Sequence, residues 1–332
     1  MLLLHRTALR RRCVSPFSST ICLRKARLHA SPRLSKQEPP KETKSKDPRL
    51  SNISTDLIED EFAVLKSSYQ VPKYPIILAH GLLGFDELRL GGANLPGIEY
   101  WYGITQALAA KGVEVITSAV PPSGSIERRA GKLAEAIEER ARGKAVNIIA
   151  GLDSRYMISR LQPPNVKVLS LTTIATPHRG SSFADYLFTQ IGMTNIPKIY
   201  KAMEYFGLET GAFSQLTREY MASSFNPRTP DVEGIRYYSY GAQFEPHFLS
   251  VFRKSHDVIA QIEGANDGMV SVESSRWGDY KGTLNHVSHL DLINWSNRLR
   301  WYFWELTGKK KKNFNAIAFY LSIADMLAKE GL

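Results

Sequence analysis

Apolar runs alternate with segments of helical spacing between residues 73 and 305, and this pattern predicts alternating strands and helices. The predicted strands lie at 74–79, 113–120, 145–150, 168–175 and 236–240. Residues 125–141 place apolar side chains on one face of a helix, with Glu127 in its first turn. This alternation predicts an α/β fold, with a mostly parallel sheet, helices on both faces and a site beyond the carboxyl ends of the strands.

A sharp turn follows the predicted strand at 145–150. Apolar side chains with helical spacing resume at Tyr156, so a strand passes directly into a helix. In an α/β-hydrolase such a turn holds the nucleophile, on a G-x-S-x-G elbow that lifts a serine Oγ above the sheet. Here the turn at 150–153 reads A-G-L-D and contains no serine.

Five motifs outside this turn carry a family resemblance. They read YPIILAHGLLGFDELRLGG at 74–92, EYWYGI at 99–104, TIATPHRGSSFADY at 173–186, ANDGMVSV at 265–272 and HLDLIN at 289–294. Together they closely resemble the Pseudomonas-type bacterial triacylglycerol lipases and, with the N-terminus, the fungal mitochondrial triacylglycerol lipases. The resemblance covers roughly residues 73–305. It implies an α/β-hydrolase fold and serine-type hydrolysis of the carboxylic ester bonds of acylglycerols.

The resemblance fails at the elbow. In those families the strand is followed by G-H-S-M-G-G or A-H-S-M-G-G, and then by L-D-S-R-Y or a near variant. This sequence passes from VNIIA directly to GLDSRY, so the nucleophile is expected between Ala150 and Gly151, where H-S-M-G is missing. A lipase without its serine is expected to be nearly inactive as written. One interpretation is a gene model that lacks a few codons; the other is a noncatalytic lipid-binding or scaffolding pseudoenzyme of the same fold.

The resemblance assigns three further site residues. Asp267 in A-N-D and His289 in H-L-D match the family's acid and base, in the chain order nucleophile, acid, base. The backbone N–H of Leu82 matches the first oxyanion donor, and such donors lower the barrier to ester hydrolysis. His286 is a rival base that lacks the following Leu-Asp.

Several residues have alternative interpretations. Ser182 lies in a near match to the elbow pattern but follows a different strand, and an aspartate nucleophile at Asp153 would need a small residue where Arg155 stands. By resemblance, Asp291 matches a structural calcium position of the bacterial enzymes, with a capping or surface role as the alternative. We expect no catalytic metal and no other cofactor.

Two apolar segments lie outside the predicted sheet. Residues 185–230 predict a helical insertion, which in a lipase would be a cap over an acyl pocket, with core packing as the alternative. The C-terminal run at 309–332 joins four lysines to an apolar helix. That combination fits either peripheral contact with an anionic membrane or packing onto the domain. A spanning helix is not expected, because no apolar run reaches about 18 residues.

Charge distinguishes the N-terminus from the rest of the chain. The 332 residues carry a net charge of +11, but residues 1–37 hold nine of the 43 basic side chains and no acid. The remainder, with 34 basic against 32 acidic residues, is close to neutral, so a nucleic-acid partner is not expected. An Arg- and Ser-rich segment without acids is typical of a mitochondrial transit peptide, with a disordered basic tail as the alternative.

The expected organisation is a transit peptide at 1–37, a flexible linker at 38–55 and a hydrolase domain at 56–332. Import into mitochondria would remove Cys13 and Cys22, the only cysteines, so no thiol nucleophile is expected in the mature protein. The expected partner is a lipid or ester substrate. A short-chain esterase stays open as an enzymatic alternative, as do the acyl-chain length and the oligomeric state.

Overall fold

The computed structural model describes residues 57–59, 61–81, 87–88, 98–101, 103–118, 120–121, 124–189, 211–248, 250–294 and 314–332. The predicted transit peptide and linker lie outside the described residues, which begin at Leu57 near the start of the predicted hydrolase domain. Residues 190–210 of the predicted cap and the four lysines at 309–312 also lie outside them.

A mostly parallel sheet forms the centre of the described fold, as the sequence predicts. Its strands are β1 (Leu57–Ile58), β2 (Ile76–Ala79), β5 (Val115–Ser118), β6 (Ala145–Ala150), β7 (Lys167–Ile174), β8 (Arg236–Gln243) and β9 (Asp279–Asn285). They are ordered β1-β9-β8-β7-β6-β2-β5, and every neighbouring pair is parallel. Two short strands, β3 (Glu87–Leu88) and β4 (Ile98–Glu99), form a separate antiparallel pair.

Helices connect the parallel strands. They are α1 (Ile104–Ala110), α2 (Ile126–Ala141), α3 (Leu152–Tyr156, continued by a π-helical turn Met157–Leu161), α4 (182–189), α5 (Gly211–Ser214), α6 (Arg218–Tyr220, continued by Met221–Phe225 and Asn226–Arg228), α7 (Arg253–Ile262), α8 (Val272–Ser275) and α9 (Ala316–Lys329). The predicted helix at 125–141 is confirmed. Its N-cap is Ser125, whose side chain accepts a hydrogen bond from the backbone N–H of Arg128.

The sheet is buried on both faces, which explains the continuous apolar runs of its central strands. Along β2, Ile76 and Leu78 join one hydrophobic cluster, whereas Ile77 joins another. The alternation follows from the two-residue period of a strand, which sends successive side chains to opposite faces. The second cluster includes the apolar face of α2, and the first includes the C-terminal helix α9.

Helix α9 packs onto the domain, which was one of the two interpretations of the C-terminal run. Phe319 and Tyr320 are buried, and the ring of Phe319 packs against Phe62 with centroids 5.2 Å apart. Asn315 caps the helix, since its Oδ1 accepts from the backbone N–H of Ile317 at 3.0 Å. Within the described residues, no helix has both the length and the apolar character needed to cross a membrane.

Candidate active site

A cavity of about 230 Å³ lies beyond the carboxyl ends of β2, β6 and β7. Phe183 and three apolar side chains from the predicted cap region, Leu187, Phe213 and Leu216, form part of its wall. His289 lines the same cavity, together with residues of the turn that follows β6. A predominantly apolar cleft with a few polar groups is typical of a site that binds a small apolar ligand.

Asp267 and His289 form a hydrogen-bonded pair at this cavity. His289 Nδ1 lies 2.6 Å from Asp267 Oδ2 and donates its proton to that carboxylate. The other carboxylate oxygen, Oδ1, accepts from the backbone N–H groups of Met269 and Val270, at 2.9 and 2.8 Å. Asp267 is fully buried, whereas 39% of the His289 side chain is exposed. A buried acid thus orients an imidazole whose ring reaches the cavity, the arrangement that general-base catalysis requires.

The pKa of His289 is shifted by two opposing effects. Burial disfavours the imidazolium and lowers the pKa, but the negative charge of Asp267 and its hydrogen bond raise it by more. The pKa of His289 therefore lies above its ordinary value of 6.5. A base whose pKa lies above that value accepts a proton more readily in the neutral pH range.

The turn that carries Asp267 depends on Gly268. Its φ of +95° falls in a region that L side chains rarely adopt, and an added Cβ would lie 2.6 Å from the Cβ of Phe252. The rings of Phe252 and Phe244 pack edge to face beside this glycine, with centroids 6.3 Å apart. The loop between β8 and α7 is therefore packed directly on the Asp267 turn.

Strand β6 passes into α3 through a single residue, Gly151. Gly151 has φ −129° and ψ −140°, which is neither a helical nor a regular strand conformation, and the helix begins at the next residue. An added Cβ at Gly151 would lie 3.4 Å from Oγ1 of Thr176, which also lines the cavity. The turn where the nucleophile is expected thus opens into the cavity that His289 lines, and it presents Ala150 and Gly151 there.

A buried ion pair lies beside this turn. Arg129, only 1% exposed, donates from Nε and Nη2 to Asp153 Oδ2 at 3.0 and 2.7 Å. It also donates to the backbone carbonyls of Pro121 and His80. Burial raises the pKa of Asp153, and the positive charge of Arg129 opposes that shift. A carboxylate bound in this way is a poor nucleophile, which argues against the aspartate alternative at the elbow.

The turn after β2 is held by side-chain contacts at the cavity. His80 Nε2 accepts from the backbone N–H of Val120 at 3.3 Å. The ring of Tyr100 packs on that of His80, with centroids 5.6 Å apart, and Gly81 lines the cavity. Burial raises the pKa of Tyr100 to about 12, despite a backbone hydrogen bond at Gly81 and the charge of Arg129, so its hydroxyl stays protonated. Leu82, the expected oxyanion donor, lies outside the described residues.

Arg155 anchors α3 to neighbouring segments. Its guanidinium lies 3.6 Å from the centroid of the Trp277 ring and donates to Asn226 Oδ1 at 3.0 Å and to Nδ1 of His178 at 3.2 Å. His178 is fully buried, and its Nε2 lies 2.9 Å from Thr173 Oγ1. Burial and the charges of two neighbouring arginines hold the pKa of His178 well below its ordinary value. His178 is therefore neutral, and its contacts hold the loop.

The remaining candidates take no part in the Asp267–His289 hydrogen bond. His286 is exposed and is not the residue that pairs with Asp267. Ser182 is fully buried at the start of α4. The Asp291 carboxylate accepts from the backbone N–H and Oγ of Ser288, at 2.9 and 2.6 Å, which is a capping arrangement. Among the described residues, no group of three or more His, Cys, Asp or Glu side chains could hold a metal ion.

Comparison with known proteins decides the family. Triacylglycerol lipase 2 of Saccharomyces cerevisiae is 36% identical to the chain over 328 residues, covering 84% of this chain and 98% of the yeast protein. The chain belongs to the triacylglycerol lipase family. A triacylglycerol lipase of Vibrio cholerae is 28% identical over 274 residues, covering 70% of this chain and 83% of that protein. By family the chain is an ester-hydrolysing enzyme. No protein-family model matches it.

Solved structures support the fold of this lipase family member. The lipase of Staphylococcus hyicus superposes with a TM-score of 0.58 at 18% identity, covering 79% of this chain and 98% of that chain. A metagenomic carboxyl esterase gives the same TM-score at 14% identity and covers 79% of this chain. These likenesses confirm the predicted α/β-hydrolase fold.

Proposed function

We propose that this lipase family member hydrolyses carboxylic ester bonds of acylglycerols by serine-type acyl transfer, and that its nucleophile belongs between Ala150 and Gly151. The observation that carries the proposal is the 2.6 Å hydrogen bond between His289 and Asp267 at an apolar cavity into which the β6–α3 turn also opens. The family relatives named as triacylglycerol lipases support the substrate class.

Each residue then has a role in acyl transfer. A serine on the β6–α3 turn would attack the ester carbonyl carbon while His289 accepts its proton, and Asp267 would orient the imidazole and stabilise its charged form. The backbone N–H of Leu82 would donate to the oxyanion of the tetrahedral intermediate. His289 would then return the proton to the leaving alcohol, and water would release the fatty acid by the same steps.

The chain as written lacks the nucleophile, and removing a triad nucleophile reduces turnover by roughly a millionfold. The experiment that tests the proposal is to sequence the transcript across the codons for Ala150 and Gly151. We expect an insert that encodes His-Ser-Met-Gly or a close variant. Adjacent codons would contradict the catalytic proposal for this chain.

A noncatalytic lipid-binding protein is the alternative function, favoured by the absence of a serine at the turn itself. The cavity wall of Phe183, Leu187, Phe213 and Leu216 would hold an acyl chain whether or not the chain catalyses hydrolysis. Lipid binding without ester hydrolysis would favour this alternative. Hydrolysis that is lost in His289→Ala would exclude it.

The pH dependence of hydrolysis is predicted from the shifted pKa of His289. Only the neutral imidazole accepts a proton, so activity is lost as pH falls through the pKa of His289. In a chain carrying the serine insert, we expect the acid limb of the kcat/KM profile to have a midpoint above 6.5. Asp267→Asn removes the charge that raises the pKa, so the midpoint moves to lower pH while the rate also falls. An unchanged midpoint in Asp267→Asn would contradict the assigned pairing.

We also infer the organisation expected from the sequence: a mitochondrial transit peptide at 1–37, a linker at 38–55 and a hydrolase domain at 56–332, with a cap at about 185–230. The acid-free, Arg-rich composition of the first segment supports mitochondrial import. Two measurements test this inference: whether the protein is found in purified mitochondria, and which residue is at its N-terminus there. A protein that is absent from mitochondria and retains Met1 would contradict it.

A further inference from the structure

The loop between β8 and α7, described at residues 244–248 and 250–252, presents two large apolar side chains to solvent. Phe248 is 67% exposed and Val251 is 82% exposed. Because the loop follows the carboxyl end of β8, it lies at the edge of the sheet beyond which the cavity is found. We name Phe248 and Val251 the apolar tip.

The apolar tip is held by hydrogen bonds of its own loop. The backbone N–H of Ser250 donates to the carbonyl of His247 at 2.8 Å, and that of Arg253 donates to the carbonyl of Ser250 at 3.1 Å. Ser250 Oγ accepts from the backbone N–H of Phe252 at 3.2 Å. These bonds join described residues that flank the two exposed apolar side chains.

Residues at the two ends of the loop contact the turn that carries Asp267. Phe252 and Phe244 pack on Gly268, the residue after Asp267. On the other side, the ammonium of Lys254 lies 5.4 Å from the centroid of the Tyr186 ring. Tyr186 belongs to α4, which supplies Phe183 and Leu187 to the cavity wall. The base of the loop therefore contacts the Asp267 turn, and the start of α7 contacts the helix that lines the cavity.

Two exposed cations and two exposed acids lie near the apolar tip in the sequence. Arg253 and Lys254 follow Phe252 at the start of α7, and both are exposed. Nearby acids are Asp257, whose Oδ2 lies 3.9 Å from Arg253 Nε, and the exposed Glu245 at the start of the loop. Basic side chains next to inserted apolar ones are typical of segments that lie in a lipid interface, because the cations reach headgroup phosphates while the apolar groups enter the acyl boundary.

We propose that the apolar tip inserts into a phospholipid surface and that Arg253 and Lys254 contact its phosphate groups, which brings the cavity to the lipid substrate. The proposal deepens the proposed function and rests on its lipid substrate class. A second copy of the chain is a less suitable occupant, since a stable protein interface needs about 800 Å² per partner and two side chains supply far less. Shallow insertion into lipid needs only a small apolar area.

Vesicle binding by the full chain tests this proposal without any turnover. Vesicles of phosphatidylcholine and phosphatidylglycerol are sedimented with the protein at about 0.5 M NaCl, which screens the basic N-terminus. We expect Phe248→Asp and Val251→Asp each to weaken partitioning by about tenfold, because an apolar group that gained free energy on insertion is replaced by a charge. We expect Phe248→Trp to strengthen it, a gain that misfolding would not produce.

Leu161→Asp is the matched control. Leu161 is also an apolar residue with an exposed side chain, and its exposed fraction is 41%. It ends the helical segment after β6, so it lies toward the amino ends of the strands, away from the cavity. We expect this variant to bind vesicles like the parent chain. The proposal is overturned if the variants at 248 and 251 bind like the parent, if Leu161→Asp weakens binding equally, or if the parent forms a dimer that Phe248→Asp dissociates. Vesicle binding that depends on the apolar tip, in a chain that does not hydrolyse esters even with the serine insert, would instead count against the proposed function alone.

Discussion

Insertion of His-Ser-Met-Gly between Ala150 and Gly151 is expected to raise the turnover of a short-chain triacylglycerol by about a millionfold over the chain as it stands. The physical reason is that the proposed base and its orienting acid already lie at the cavity. His289 is oriented by a buried carboxylate, and the β6–α3 turn that would carry the serine opens into the same cavity. Initial rates of fatty acid release measure the effect.

The matched control is the same four-residue insert with alanine in place of serine. It restores the length of the turn and of the following helix but supplies no nucleophile, so its turnover should stay near that of the parent chain. A comparable gain in both inserted chains would show that the serine is not the nucleophile. Circular dichroism of both chains checks that the insert leaves the fold intact.

Arg129→Met is expected to reduce the free energy of unfolding by about 3–5 kcal/mol, because it leaves the Asp153 carboxylate buried without its partner. Burial already raises the pKa of Asp153 while Arg129 is present. Without Arg129 the carboxyl is expected to take up a proton at a higher pH, so the loss of stability should shrink as pH falls through that raised pKa. Urea unfolding at neutral and acidic pH measures both effects.

Two further variants separate the buried pair from ordinary surface charge. Lys132→Met on the same helix breaks an exposed ion pair with Glu135, 2.7 Å long, and should change stability by less than about 1 kcal/mol. Arg129→Met combined with Asp153→Leu should recover much of the loss, since no buried charge remains unpaired. A loss below about 1 kcal/mol in Arg129→Met would contradict the interpretation of this pair.

The local pattern of apolar residues predicted the strands that are buried on both faces. The predicted strand at 145–150 coincides with β6, because a strand covered on both faces needs apolar side chains at successive positions. By contrast, β9 reads D-Y-K-G-T-L-N and was not predicted. Its pairing with β8 and β1 makes it a strand, and no run of its own residues signals that pairing.

The sequence also located the Asp267–His289 pair, although only through motifs that match a family. Two residues 22 positions apart in the chain come within 2.6 Å because the turn between α7 and α8 meets the loop that follows β9. Arg129 was missed. Its signal was its position on the apolar face of α2, three residues after Ile126 and four before Leu133, where a charged residue needs a buried partner. No local pattern identifies that partner as Asp153.

Labelling with a fluorophosphonate, a reagent that phosphonylates activated serines, tests the central claim most directly. In the chain carrying His-Ser-Met-Gly between Ala150 and Gly151, we predict one probe per chain on the inserted serine, located by peptide mass. The same chain with His289→Ala should label far more slowly, because the serine then has no base to accept its proton. An inserted chain that folds but does not label, or that labels equally fast without His289, would contradict the account.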